Sequence, residues 1–423
     1  VKELLAASLF LITLSVLVLV KEDRRYIVAT ISALIAIALG LVKPSNLLEY
    51  LNLDVLGLIG GACVVSAYLS ESGITEEIAK RAVSWSGGDL RKVALALGML
   101  SGIISLFIEN VTTLIMLAPI VFTIAKAAEI DAVPLLLITA FASNLGGAAL
   151  LVGDPQSALA AGYFNLDFID FIFHDGKPSI FWMVLAALLT STTAFAYFLV
   201  KGRINSKNVM DKLGGVSDHK LAKIALSALM IKIFLLSIRK EIGIGLAPPA
   251  LIAVAFILLM RRTKEDIKFS IKSVEWKLLI FLAGMFVLVG SLQDSGVMEA
   301  VASLIKNSVG CNFYLASSVI IIVSVIISGV MDNVPYLLAM FPVIESLSAF
   351  CHIYYFKLLL ALLIGATLGG NITYFGTSTN IAAVQLLAEA GYKVSFKRFV
   401  KLGLFYTVLA LTPAVIMFYL IWG

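Results

Sequence analysis

Two short polar stretches inside otherwise apolar sequence carry the residues able to do chemistry. The first is Glu109-Asn110-Val111-Thr112, followed by Gly146-Gly147 and then Gly153-Asp154-Pro155. The second is Asp332-Asn333-Val334-Pro335, followed by Gly369-Gly370 and then Gly376-Thr377-Ser378. Glu109 and Asp332, Asn110 and Asn333, Pro119 and Pro342, and Gly153 and Gly376 are all 223 residues apart, and Glu71-Ser72-Gly73 meets Asp294-Ser295-Gly296 at the same offset. One offset held over so long a span marks an internal repeat. Three carboxylates, Glu109, Asp154 and Asp332, lie in these segments, and none of the quoted segments holds a Lys or Arg. Carboxylates in apolar surroundings are costly and usually mark ion or proton paths, so they point to proton or sodium coupling. Their structural alternative is modest: Asp154 as a helix cap, Glu109 and Asp332 as ties for two turns.

The elements that position these residues follow from composition. Hydrophobic residues make up 60% of the chain, charged residues 14%, and mean hydropathy is +1.01, whereas soluble domains carry about a quarter charged residues. The chain therefore reads as an all-α integral membrane protein, and its net charge of +5 sets topology instead of recruiting nucleic acid. Apolar runs long enough to span fall near 4–20, 26–42, 55–70, 179–200, 221–237, 247–260, 277–292 and 402–422. The first reads as a retained helix, since no small-residue cleavage site follows it. Regions 92–127 and 312–349 are too long for one span and carry the Glu-Asn and Asp-Asn pairs at their middles, so they read as re-entrant hairpins. Regions 132–165 and 356–390 read as helices broken at Gly153 and Gly376. About ten spans and two hairpins result, arranged as N-terminal helices 1–54, repeat 1 over 55–200, an inside linker 201–220, and repeat 2 over 221–423.

Charge placement gives the orientation. With the N-terminus outside, outside segments hold only Lys2, Lys43, Lys177, Arg239, Lys240, Lys306 and Lys357, Lys232 lies within a span, and the remaining 24 of the 32 Lys and Arg fall inside. The feet of hairpin 1 are then inside and those of hairpin 2 outside, so the repeats are inverted, as in many secondary transporters whose site lies where broken helices meet. Backbone groups freed at such breaks are tolerated at membrane depth only where they line a cavity or pack in protein. Asp154-Pro155 reads as N-cap and first residue of one half-helix, and Thr377 or Ser378 can cap its counterpart. The expected binding residues are Glu109, Asn110, Thr112, Asn144, Gly153, Asp154, Asp332, Asn333, Gly376, Thr377, Ser378 and Asn380, with Asn371 and Thr373 nearby. Oxygens of Asn110, Asn333 and neighbouring backbone carbonyls suit sodium.

Other features carry blander readings. The Gly pairs allow close helix packing. Cys63, Cys311 and Cys351 are too scattered for a disulfide framework or a zinc cluster and read as small apolar fillers. His174, His219 and His352 fall in loops or at membrane edges, away from any relay, and Lys126 and Lys232 read as snorkelling side chains.

The run Ser143-Asn144-Leu145-Gly146-Gly147-Ala148 through Val152-Gly153-Asp154-Pro155-Gln156-Ser157, with Met331-Asp332-Asn333-Val334-Pro335 and Gly369-Gly370-Asn371 through Gly376-Thr377-Ser378-Thr379-Asn380, resembles the ion transporter superfamily. Within it the chain is similar to the branch of arsenite/antimonite efflux permeases, the pink-eyed-dilution protein and NhaD-type sodium/proton antiporters. Gln156 and Ser157 stand where arsenite permeases and pink-eyed-dilution members carry Pro-Asn. The resemblance implies a secondary transporter and not an enzyme, working by alternating access. Its implied cargo is a small inorganic ion or oxyacid, first as proton-coupled arsenite/antimonite efflux, then as sodium/proton antiport, and third as dicarboxylate or citrate transport. It also implies no cofactor beyond the coupling proton or sodium, lipid around the chain, a homodimer and an ATPase subunit as expected partners. An intramembrane aspartyl protease is disfavoured, because Leu151 replaces the Gly such a site needs before Val152-Gly153-Asp154 and no Tyr-Asp partner occurs.

Overall fold

The computed structural model describes residues 2–20, 22–202 and 218–423; most of the linker expected over 201–220 lies outside them. The chain is an all-α membrane protein. Its first half contains α1 (Lys2–Leu19), α2 (Arg25–Ala38), α3 (Leu47–Tyr50), α4 (Leu53–Glu71), α5 (Ile74–Trp85), α6 (Leu90–Ser105), α7 (Asn110–Ala128), α8 (Val133–Ala149), α9 (Pro155–Phe164) and α10 (Ile180–Leu199). The second half contains α11 (His219–Ile242), α12 (Ala247–Arg261), α13 (Lys264–Ser273), α14 (Trp276–Asp294), α15 (Val297–Val309), α16 (Phe313–Ser328), α17 (Asn333–Cys351), α18 (Tyr355–Gly369), α19 (Ser378–Glu389) and α20 (Phe396–Trp422). Among the described residues, seven helices are long and apolar enough to cross a membrane, and α2, α8, α12, α16 and α18 are shorter apolar helices. Large apolar side chains such as Leu11, Phe234 and Leu420 are exposed, as a lipid-facing surface requires.

The sequence offset reappears in the helix boundaries. Both ends of α4, α6 and α7 coincide with those of α14, α16 and α17 after a shift of 223 residues. Local chemistry explains the coincidence. Asp89 and Asn312, one offset apart, each cap a following helix by accepting a backbone N–H, from Arg91 and Leu315 respectively. Glu129 and His352, again one offset apart, end α7 and α17 with φ of 51° at both positions.

The opening helices of each half pack on the other half. Helix α2 lies along α14 and α12 along α4, with the backbone of Ala29 against Gly284 and that of Ala250 against Gly61. Asp54, at the start of α4, accepts hydrogen bonds from the backbone of Leu246 and Ala247 at 2.6 and 2.8 Å, which seats the N-terminus of α12.

One sequence expectation changes here, and one loop residue gains contacts. Cys311 and Cys351 are 40 residues apart in sequence, yet their Cα atoms are 5.0 Å apart and the pair forms a disulfide; Cys63 is free. The pairing was hidden because packing, not spacing, brings the ends of α15 and α17 together. His174 falls in a loop, as expected, and is tied down there. It lies on a two-residue strand, β1 (Phe173–His174), paired antiparallel with β2 (Lys177–Pro178). One ring nitrogen contacts Asp170 and the other the Tyr354 hydroxyl, both at 2.7 Å, and the ring stacks on Phe356. Burial pushes the Asp170 carboxyl up, but hydrogen bonds from His174, the Asp167 backbone and Lys240 outweigh it and hold the group at about 2. The cluster ties the loop after α9 to the start of α18.

Disulfides persist in oxidising compartments, and charge counting leads to the expectation that the feet of the second helix-turn-helix face the outer side. In oriented vesicles, an impermeant maleimide is expected to label Cys311 and Cys351 only after an impermeant reductant reaches the outer face. Labelling from the inner side alone would reverse the orientation.

Candidate functional site at the paired helix breaks

Four helices begin at the centre of the molecule, and each N-terminus is capped by one of the singled-out polar residues. Glu109 accepts from the Thr112 backbone at 2.8 Å, Asp154 from Gln156 at 3.2 Å, Asp332 from Val334 at 3.1 Å and Thr377 from Asn380 at 3.3 Å. Thr377, not Ser378, is the cap of α19. Each carboxylate lies on the positive end of a helix dipole, worth about 0.3–1 kcal/mol per helix. Three of the four ends are thus covered by the protein's own negative charge, which leaves them poorly suited to a bare polyanion.

The asparagines behind the caps hold the turns together in two matching copies. Asn110 Oδ1 accepts from Ser105 Oγ at 2.5 Å, and Asn333 Oδ1 accepts from Ser328, one offset further on. The Gly pairs serve both asparagines. A Cβ on Gly147 would overlap Asn110 Oδ1, and one on Gly370 would come within 3.2 Å of the Asn333 amide. The preceding Gly146 and Gly369 press instead on the backbones of Gly102 and Val325. Close helix packing therefore explains only half of each pair. Gly153 and Gly376 face the Ser105 and Ser328 carbonyl oxygens respectively.

Hydrogen bonds cross between the halves at this centre. Asn144 Nδ2 donates toward Asn371 Oδ1 at 2.8 Å, Thr377 Oγ1 at 3.0 Å and Asn380 Oδ1 at 3.1 Å. Asn333 Nδ2 donates to Gln156 Oε1 at 3.4 Å, so Gln156 reaches the opposite turn. Asn380 Nδ2 donates to the Gly370 and Thr373 carbonyls. Two expected residues take a lesser part: the hydrogen bond at Thr112 is through its backbone, and Ser378 is the half-buried first residue of α19.

The symmetry fails at the charges. Position 154 is Asp where the second half has Thr377, so only the first half brings a carboxylate to its helix break. Asp154 Oδ2 accepts from Asn110 Nδ2 at 2.6 Å. Asp332, in contrast, forms an ion pair with Arg25 at 3.1 Å. Arg25 escaped the sequence reading because it lies at the start of α2, counted as an inside loop, far from either motif. Its 223-offset counterpart is Pro248, so the arrangement is not repeated.

For a coupling cation the donor set is adequate. Asn144 Oδ1 and Thr367 Oγ1, one offset apart, are buried oxygens with no hydrogen-bond partner. Buried polar atoms are almost always satisfied, and unpartnered neutral oxygens are ligands of the kind a small hard cation takes.

A pair of broken helices with capped ends meeting at one polar centre, inside an all-α membrane fold, defines a membrane transport protein. The particular family follows from sequence: residues 15–354 match the family model of CitMHS, the citrate transporters, and the chain belongs to that family. It is 28% identical to an uncharacterized transporter of Mycobacterium tuberculosis (strain CDC 1551 / Oshkosh) over 95% of both chains. It is 26% identical to the P protein of Mus musculus, over 97% of this chain and 58% of that one. The crystal structure of the Alcanivorax borkumensis YdaH transporter shares the fold, with a TM-score of 0.59 at 14% identity over 99% of this chain and 98% of the other.

Proposed function

We propose that the protein is a cation-coupled secondary transporter of a small, oxygen-rich acid. The two halves lie inverted in the membrane, and Asp154 takes up and releases the coupling proton or sodium ion. The observation that carries this reading is the charge asymmetry: Asp332 is neutralised by Arg25, while the described donors to Asp154 are an amide and a backbone N–H. A carboxylate so placed trades charge readily with a proton or cation. The citrate-class description of the family moves a carboxylate cargo ahead of arsenite. Three carboxylates and one guanidinium at the centre favour a cargo whose negative charge is covered by protons or another cation. A neutral oxyacid such as arsenite is the second reading, supported by the amide and hydroxyl cluster of Asn144, Asn371, Thr377 and Asn380.

Uptake into proteoliposomes separates these readings. Saturable citrate uptake that follows an imposed proton or sodium gradient is the expected result. Arsenite flux without citrate flux selects the second reading, and sodium-evoked proton movement with neither acid selects an antiporter. Gradient-insensitive, non-saturating flux of all three would sink the coupled-transporter reading.

A further inference from the structure

The opening helices of the two halves each carry one buried basic residue, Arg25 on α2 and Lys232 on α11, and each of these helices packs on the other half. Arg25 of α2 holds Asp332 of the second turn in a pair that is mostly buried. Lys232 lies at the middle of α11, is 0% exposed, and its Nζ has no hydrogen-bond partner. It does not snorkel, contrary to the sequence reading, because it lies on the face of α11 packed against protein, while Met230 and Phe234 on the other face are exposed. Leu229 and Ile233 beside it pack in one apolar cluster with Ile104, Phe107, Ile108 and Met116, and Ile108 immediately precedes Glu109. Cys63 of α4 is within electrostatic reach of Lys232 and also of Glu109 and Glu275.

A buried ammonium with no partner costs several kcal/mol. We propose that Arg25 and Lys232 are alternating locks: Arg25 clamps Asp332 in the conformation seen here, and in the opposite-facing conformation Arg25 releases Asp332 while the Lys232 ammonium pairs with the Glu109 carboxylate. The lock rests on the alternating-access reading and adds its two positioning residues. The pseudo-symmetry supports it, since α1–α2 serve the second turn and α11–α12 lie against the first half. The order of events follows from charge: an exchange of partners keeps one of the two turns paired with a basic residue in each end state.

The test reads conformation, not cargo. A Ser378→Cys reporter in a Cys63→Ala background is labelled with impermeant maleimide from either face of full-length protein in vesicles. Lys232→Met is expected to shift the two-sided labelling ratio about tenfold toward the conformation clamped by Arg25, and Arg25→Met about as far the other way, within the range of ordinary coupling energies. Lys232→Arg should restore the original ratio, and Glu109→Gln should reproduce the Lys232→Met shift. Lys232→Met removes an unpaired buried charge, so it should fold at least as well as the parent, and Glu109→Gln provides the same readout independently. An unchanged ratio in Lys232→Met and Glu109→Gln overturns the lock alone. A parent reporter that labels from one face under every gradient overturns alternating access itself.

Discussion

Asp154→Asn is expected to abolish gradient-driven transport while leaving the fold intact. The amide keeps the side-chain oxygen that caps α9 at Gln156 but can neither hold a charge nor release a proton. A hydrogen bond or contact to a charged group at such a site is worth about 3 kcal/mol, which is on the order of 100-fold in coupled flux. The more telling change is qualitative: residual flux should lose its dependence on the imposed proton or sodium gradient. Transport by Asp154→Asn with unchanged rate and gradient dependence would leave Asp154 a cap and move the coupling elsewhere. Thr377, its counterpart one offset away, already shows that a neutral residue can cap the equivalent helix.

Gly146→Ala is expected to produce the largest loss of stability of any single methyl added to the chain. The new Cβ would overlap the Gly102 carbonyl oxygen where α6 and α8 cross, and a backbone atom cannot swing aside as a long side chain can. Overpacking of this kind costs about 3 kcal/mol, and here it would also spread α6 from α8 and displace the Ser105–Asn110 turn they carry. Reduced expression and a lower melting temperature in detergent are the predicted readouts. Gly310→Ala is the control for added bulk alone, because open space surrounds Gly310, although its positive φ adds its own strain. A Gly146→Ala protein as stable as the parent would mean that α6 and α8 separate at little cost.

Much of the site was legible because local residue chemistry repeats locally. Asp and Thr at the breaks became caps, Pro155 became the first residue of α9, and the boundaries of α6, α7, α16 and α17 followed the turns at Glu109 and Asp332. The residues that were missed or misread, Arg25, Lys232, Cys311, Cys351 and His174, have one thing in common. Arg25, Cys311 and Cys351 each meet a partner distant in sequence, His174 joins a local acid to a distant hydroxyl, and Lys232 is enclosed by residues distant in sequence. Arg25 meets Asp332 across 307 positions, and His174 meets Tyr354 across 180. Hydropathy and spacing report the environment a segment seeks, not which other segment supplies it.

The sequence by itself determined that this is an all-α membrane protein, that it is built from a repeat at an offset of 223 residues, and that its polar chemistry sits at four helix starts. These follow from apolar run length, from identity along the chain and from the backbone's need for caps where helices break. Only the tertiary structure decided how charge is shared at the centre. Asp332 is covered by Arg25, Asp154 is held by Asn110, and Lys232 is buried without a partner. Burial and ion pairing depend on which helices cross, and the exchange of the opening helix pairs between the halves is a property of packing that no stretch of sequence contains.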